Sequence, residues 1–370
     1  MSNSNAEERP RRHSSTHHPS LSSLPEEIVL RCLALVPRIY HVSVSLVSKQ
    51  LRSLVLSPEL NGLRSIRNKK SLHVCLRKGY NDVHWFTLRP SEETETATEY
   101  RLVPNPTPFP PHPNHGSSTV VVGSKIFFIG GYREPSSDLW ILDTRSGNMT
   151  QGPSMSVPRA KNEAAVGVID GKIYVIGGGG FAPERFQEEI QVEVFDLNSE
   201  TWELAGMENV RKTSRCSASV EGKVYMVEYE EINVYSPRER MVRMVSQRLS
   251  EGGRKDVLND SAFIVCVVED VLFAFFSKSG VMWFNTKLNV WRRLLGRDGK
   301  ELPFVLHANE MAEYDDGRLV VLYTVSKSVR CVVVSLHRSG DMICGTIDWS
   351  GVLGTVRHSF DFLHCLAVSD

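Results

Sequence analysis

The sequence predicts a mainly β protein: a β-propeller of four-stranded blades, six favoured, preceded by a small three-helix domain. Three observations predict it. A pattern of turn, polar residue and apolar strand recurs at a period near 50 residues. Apolar residues in the stretch before it recur instead every three or four positions. A last strand, at 358–369, has no blade after it.

Residues 1–20 are mostly Ser, His, Arg and Pro, too poor in apolar groups to offset the entropy of ordering, so a disordered tail is expected there. From Leu21 the pattern is helical. Ser23 and Glu26 fit a capping box, with Pro25 in the first turn where its missing N–H costs nothing. Ile28, Leu30, Cys32, Leu33, Leu35 and Val36 form an apolar face, and Pro37 ends that helix. Ile39, Val42, Leu46, Val47, Leu51, Leu54 and Val55 lie on one stripe and predict a second helix, stopped by Pro58. ELNGLRSIRNKK predicts a weaker third, with basic residues in its last turn complementing the helix dipole. So small a unit encloses little core and normally leans on a partner.

From Ser71 onward the chain reads as short strands. GSKIFFIGG (123–131), DGKIYVIGG (170–178), EGKVYMVEY (221–229), EDVLFAFFS (269–277) and DGRLVVLYT (316–324) share one pattern, and their register points Ile126, Ile173, Val224, Val271 and Leu319 stand 47, 51, 47 and 48 residues apart. A second strand follows each, as in DLWILD (138–143) and VEVFDL (192–197), and then an often Trp-bearing third. With the doublets Gly130-Gly131 and Gly177-Gly178 and the later Trp140 and Trp202, this resembles the kelch repeat, and the resemblance implies a kelch-type β-propeller over 71–370. A glycine pair closing a strand takes backbone angles and close approaches that a Cβ forbids. Glu228-Tyr229, Phe276-Ser277 and Tyr323-Thr324 replace the doublet later, so the last three blades are expected to be irregular. SLHVCLR (71–77), VHWFTLR (83–89) and YRLV (100–103) supply a second, third and fourth strand without a first. Pairing them with the last strand closes a ring of six and removes exposed edges; five blades, or six with one malformed, are the alternatives.

The helical region, 21–66, resembles an F-box. The residues that carry the resemblance are Leu24-Pro25, Ile28, then Leu46-Val47-Ser48-Lys49, Arg52 and Leu54, with Leu51 standing where the family usually has Trp. The family implies an adaptor-binding set of Leu24, Pro25, Ile28, Leu46, Val47, Lys49, Arg52 and Leu54, docking a Skp-family adaptor and through it a cullin-RING ubiquitin ligase. The alternative is a helical cap packed on the propeller. An F-box joined to kelch blades is a plant-type arrangement, and it implies the substrate-recognition subunit of an SCF-type ligase, with the propeller binding a target protein for ubiquitination. The rival is a non-degradative scaffold or sequestering protein that uses the propeller as a binding module.

Loops after the second and fourth strands of a blade open on one face. The third blade carries six extra residues after its second strand, within GGFAPERFQEEIQ, and Phe181, Arg185 and Phe186 are types that anchor interfaces. Arg159, Lys161, Arg211, Arg215 and His307 fall in connections on the same face. Together they are the expected substrate face; the alternative is that they are solvated turn residues.

Lys+Arg 43 against Asp+Glu 43 removes the basic field of a dedicated nucleic-acid or anionic-membrane binder. No apolar run has the length of a membrane span and no secretory signal opens the sequence, so the expected residence is cytoplasmic, nuclear or both. The seven cysteines form no CxxC pair and read as reduced, mostly buried side chains. No HxH, HExxH, GxSxG or P-loop occurs, so no enzyme chemistry, metal or cofactor is expected.

Overall fold

The computed structural model describes residues 24–34, 41–57, 59–60, 63, 70–79, 82–91, 99–105, 109–110, 115–132, 134–160, 164–178, 190–208, 216–228, 231–251, 254–258, 260–303, 307–315, 317–355 and 360–369. The tail at 1–20, the Ser23 cap and most of the predicted third helix lie outside them. The chain divides into two compact units, Met1–Asn68 and Lys69–Asp370.

The first unit contains α1 (Glu26–Ala34), α2 (His41–Val47) and α3 (Lys49–Val55). The carbonyl of Pro25 accepts from the N–H groups of Ile28 and Val29, which starts α1. The single helix expected over 39–55 is two. Ser48 is extended (φ −155°, ψ 158°) and its Oγ accepts from Leu51 N at 3.1 Å, so it ends α2 and caps α3. Helical spacing on both sides of a serine does not reveal that the serine caps rather than continues. Val29, Leu30, Leu33, Ala34, Leu54 and Leu60 form the core of this unit.

The second unit is a six-bladed propeller. Blade 1 holds β1 (Lys70–Lys78), β2 (Asp82–Ser91) and β3 (Glu99–Pro104). Blade 2 is β4 (Ser118–Val122), β5 (Lys125–Ile129), β6 (Leu139–Asp143) and β7 (Met149–Gln151). Blade 3 is β8 (Ala164–Ile169), β9 (Lys172–Gly177), β10 (Ile190–Asp196) and β11 (Thr201–Glu208). Blade 4 is β12 (Ser217–Val220), β13 (Lys223–Val227), β14 (Glu231–Ser236) and β15 (Met241–Ser246). A hairpin of β16 (Arg248–Glu251) and β17 (Arg254–Val257) precedes blade 5, which is β18 (Ala262–Val268), β19 (Val271–Phe276), β20 (Gly280–Asn285) and β21 (Val290–Arg293). Short β22 (Leu295–Gly296) precedes blade 6, made of β23 (Glu310–Tyr314), β24 (Arg318–Val325), β25 (Ser328–Ser339) and β26 (Met342–Thr355). The last strand, β27 (Asp361–Ser369), pairs antiparallel with β1 from Lys70↔Ser369 to Arg77↔Asp361 and becomes the inner strand of blade 1.

Closure is therefore as the orphan strands predicted. The expected irregularity is confined to blades 5 and 6, whose outer edges gain a parallel strand, β16 on β21 and β22 on β26; blade 4 keeps four strands in order.

Inner strands meet around the ring in the order β4, β8, β12, β18, β23, β27 and back to β4. Near-continuous apolar strands are explained by this stacking, because each blade is covered on both faces. One apolar cluster fills each seam: Phe127, Ile129, Val166 and Val175 between blades 2 and 3, for example, and Phe273, Trp283, Met311 and Val321 between blades 5 and 6. Between blades 3 and 4 the inner edges are also joined by hydroxyls. Val166 N donates to Ser217 Oγ (2.9 Å) and Val168 N to Ser219 Oγ (2.7 Å). A Cβ at Gly167 would stand 2.4 Å from Ser219 Oγ, which is why a glycine occupies a strand interior there.

Candidate functional site

Among the described residues of the helical unit, two groups of apolar side chains stand outside the core beside residues of the expected adaptor set. Leu24 and Ile28, each 41% exposed, flank Pro25 at the start of α1. Leu46 and Val47, 79% and 74% exposed, end α2 just before the Ser48 break, and the exposed Lys49 and Arg52 follow on α3. Leu54 departs from the expected adaptor set. Its side chain belongs to the unit's own core with Leu30, Leu33 and Leu60, and is not available to a partner. Leu56, exposed in the C-terminal cap of α3, was not singled out by the sequence.

On the propeller, turns after second strands and the connections between blades open on one face, called upper below. Phe181, Arg185, Phe186, Lys161, Arg211 and Arg215 lie outside the described residues. His307 is exposed on the upper face just before β23. Its neighbour Asn309 is structural: Oδ1 accepts from Thr324 N (2.9 Å) and Thr324 Oγ1 (3.2 Å).

Arg159 is not a rim residue. It is fully buried, and Nη2 donates to Glu193 Oε2 at 2.7 Å while Nη1 donates to the Gly177 carbonyl. Glu193 Oε1 also accepts from Ser156 N at 2.7 Å. The Arg159 carbonyl accepts from Gly131 N (2.8 Å) and Ser136 N (3.0 Å). One residue thus ties the glycine doublet of blade 2 to that of blade 3. The doublets admit this approach because Gly130 and Gly178 hold φ of +72° and +79°, and a Cβ on Gly130 would lie 2.5 Å from the Arg159 carbonyl oxygen. Burial pulls the guanidinium pKa below its ordinary value against the opposing pull of Glu193, and arginine stays charged throughout.

Blade 5 makes the corresponding turn with a carboxylate. Buried Asp260 accepts from Ser277 Oγ (2.5 Å), from Ser279 N (2.7 Å) and from Lys278 N (2.9 Å). Burial pushes its pKa up, but these hydrogen bonds outweigh it and hold the carboxyl below its usual range. Two residues after Ser261, β18 carries a bulge: Ala262 pairs with Phe276 and Ile264 with Phe275, which leaves Phe263 unpaired and 47% exposed. On the other side of the turn is a cleft of about 160 Å³ between residues 277–280 and the connection at 294–302, with Val281, Leu294 and Leu302 among its walls and Lys278, Arg293 and Glu301 around it. Sequence reasoning missed this group. Its one signal was Phe263 itself, an aromatic at the start of an inner strand, where register alone does not predict exposure.

None of the seven cysteines is in a disulfide, and burial raises the thiols of Cys266, Cys331 and Cys365 far above their ordinary pKa. Among the described residues, no three or more His, Cys, Asp or Glu side chains are placed to hold a metal ion.

The sequence matches the F-box domain over residues 21–62 and the FKB95, Kelch-repeats domain over residues 85–353. A putative F-box/kelch-repeat protein of Arabidopsis thaliana is 40% identical over 390 residues, covering 95% of this chain and 98% of the relative. Two F-box/kelch-repeat proteins of the same plant are similar as well. One is 35% identical with 99% of this chain and 100% of the relative covered, and the other 47% identical with 60% and 87% covered.

Proposed function

The chain belongs to the F-box/kelch-repeat family, and from that premise we propose that it is the substrate-recognition subunit of an SCF-type cullin-RING ubiquitin ligase. The helical unit docks a Skp-family adaptor, and the propeller holds a target protein for ubiquitination. The chain is a receptor and performs no bond chemistry itself. No helix among the described residues is long and apolar enough to cross a membrane, and the proposed place of work is the cytoplasm, the nucleus or both.

The observation that carries this reading is the exposure of Leu46 and Val47, with Leu24 and Ile28, on a unit whose core is already filled by other side chains. Apolar side chains in that number on so small a domain fit a partner groove. Capture of the full chain by a purified Skp-family adaptor tests it. Capture is expected for the wild type and is expected to be lost both in a Leu24→Ala, Pro25→Ala, Ile28→Ala variant and in Leu46→Glu, Val47→Glu, where the altered side chains are already in solvent. A folded wild type that is not captured, or variants captured as well as the wild type, overturns it.

A further inference from the structure

We propose that the adaptor-docking surface of the helical unit runs along α3 to Leu56, and that this leucine is an apolar anchor for the Skp-family adaptor. The proposal rests on the reading above that the helical unit docks such an adaptor, and it adds a residue which that reading does not use.

The geometry of α3 decides which of its two late leucines can meet a partner. An α-helix turns about 100° per residue, so Leu54 and Leu56, two positions apart, point to nearly opposite sides. Leu56 is the cap residue and keeps near-helical angles (φ −91°, ψ −1°), so the spacing still applies to it. Leu54 is 5% exposed in the core of the unit, and Leu51 and Val55 pack against the same core. Leu56 is 72% exposed. It shares its side of α3 with Arg52, one turn earlier, and Lys49, two turns earlier, and both of these are exposed as well.

Lys49 and Arg52 belong to the set that the F-box resemblance carries to this chain, and the exposed Leu46 and Val47 stand just before them. The surface read from that set therefore continues for about 10 Å along α3 and ends on Leu56. Lysine and arginine stems cover apolar surface while their charged heads stay in water, so the two cations do not interrupt the strip. In the adaptor-binding set, the geometry exchanges Leu54 for Leu56.

The chain on both sides of Leu56 is held before any partner arrives. Leu56 N donates to the Arg52 carbonyl and Ser57 N to the Leu54 carbonyl, each at 3.2 Å, and Ser57 Oγ accepts from Leu60 N at 3.2 Å. Little backbone ordering remains to be done on binding, and a large apolar side chain still in water gains when a partner covers it.

The test measures the affinity of the full chain for immobilised, purified Skp-family adaptor. Leu56→Glu is expected to weaken binding about tenfold and Leu56→Met to leave it at the wild-type value, with the thermal unfolding midpoint unchanged in both. Gln50→Glu places the same charge on another exposed side of α3, about 120° away, and is expected to bind as the wild type does. Wild-type affinity in Leu56→Glu, or equal weakening in Gln50→Glu, overturns the anchor and leaves the receptor reading standing. A folded wild type that does not bind overturns the receptor reading, and the anchor with it.

Discussion

Blades 2 and 3 close the second strand on a glycine doublet, whereas in blades 5 and 6 a side chain reaching in from the preceding connection satisfies polar groups at the top of the second strand. In the first pair the backbone takes a positive φ at Gly130 and Gly178, and Arg159 threads between the two doublets. In the second, Asp260 gathers the N–H groups of Lys278 and Ser279, and Asn309 the N–H and hydroxyl of Thr324. The fold therefore needs the polar groups at the top of the second strand satisfied, and glycine is one of two ways to arrange it. The two ways differ in what they leave at the surface. A glycine turn packed against a buried ion pair draws its basic residue inward, while a carboxylate clamp holds the turn from below and leaves its lysine in solvent.

The largest effect is expected from removing the charge that keeps Arg159 buried. Glu193→Ala takes the carboxylate away from the buried Arg159 guanidinium and the acceptor away from Ser156 N–H, and should cost about 3–5 kcal/mol in denaturant unfolding. A loss below about 1 kcal/mol would mean that blades 2 and 3 do not depend on this pair. Asp260→Ala, in the other class of blade, should cost less, about 2–3 kcal/mol, because the turn it clamps is half in water and solvent replaces part of what is lost. Hydrogen exchange at Lys278 and Ser279 should accelerate in that variant while the amides of blades 2 and 3 keep their rates. Uniform acceleration across the ring would erase the distinction between the two classes.

The smallest effect concerns the seam between blades 1 and 2, where His115 packs against Trp85 and Phe128 and its carbonyl meets the His364 ring of β27. Burial lowers the His115 pKa to about 4 from its ordinary 6.5. The neutral ring is favoured in the fold, so its contribution to stability is full above pH 6.5 and declines as pH falls toward 4, by about 2 kcal/mol at pH 5. A His115→Gln variant should unfold with a flatter dependence on pH across that window. Equal slopes in the two proteins would show that the seam is indifferent to this proton.

The ring was legible in the sequence because blade length is a period, and pairing the edges without partners at 71–77 and 358–369 closed a ring of six, the count favoured over five. Side-chain destinations were less legible. Arg159 is a basic residue in a connection, and residue type alone places it in solvent. The signal that could have found it lay 34 positions on: Glu193 is a charge among Val192, Val194 and Phe195 in a strand too apolar to leave it unpaired. Leu54 and Leu46 share one apolar stripe, and only the Ser48 break decides that the first goes into the core and the second to the surface. Phe263 depends on one extra residue in a strand, an event with no periodic trace.

The closing strand also sets an order in time. Of the propeller's strands, β1, β2 and β3 leave the ribosome first, yet their inner neighbour is residues 361–369, so blade 1 waits with an open edge while five other blades are made. At roughly 5–20 residues per second that interval is on the order of tens of seconds. Throughout it, Leu72, Val74 and Leu76, side chains buried in the finished ring, belong to an incomplete sheet. A premature stop within the last strand would spare nearly every residue of the propeller and still deny it a closed circle.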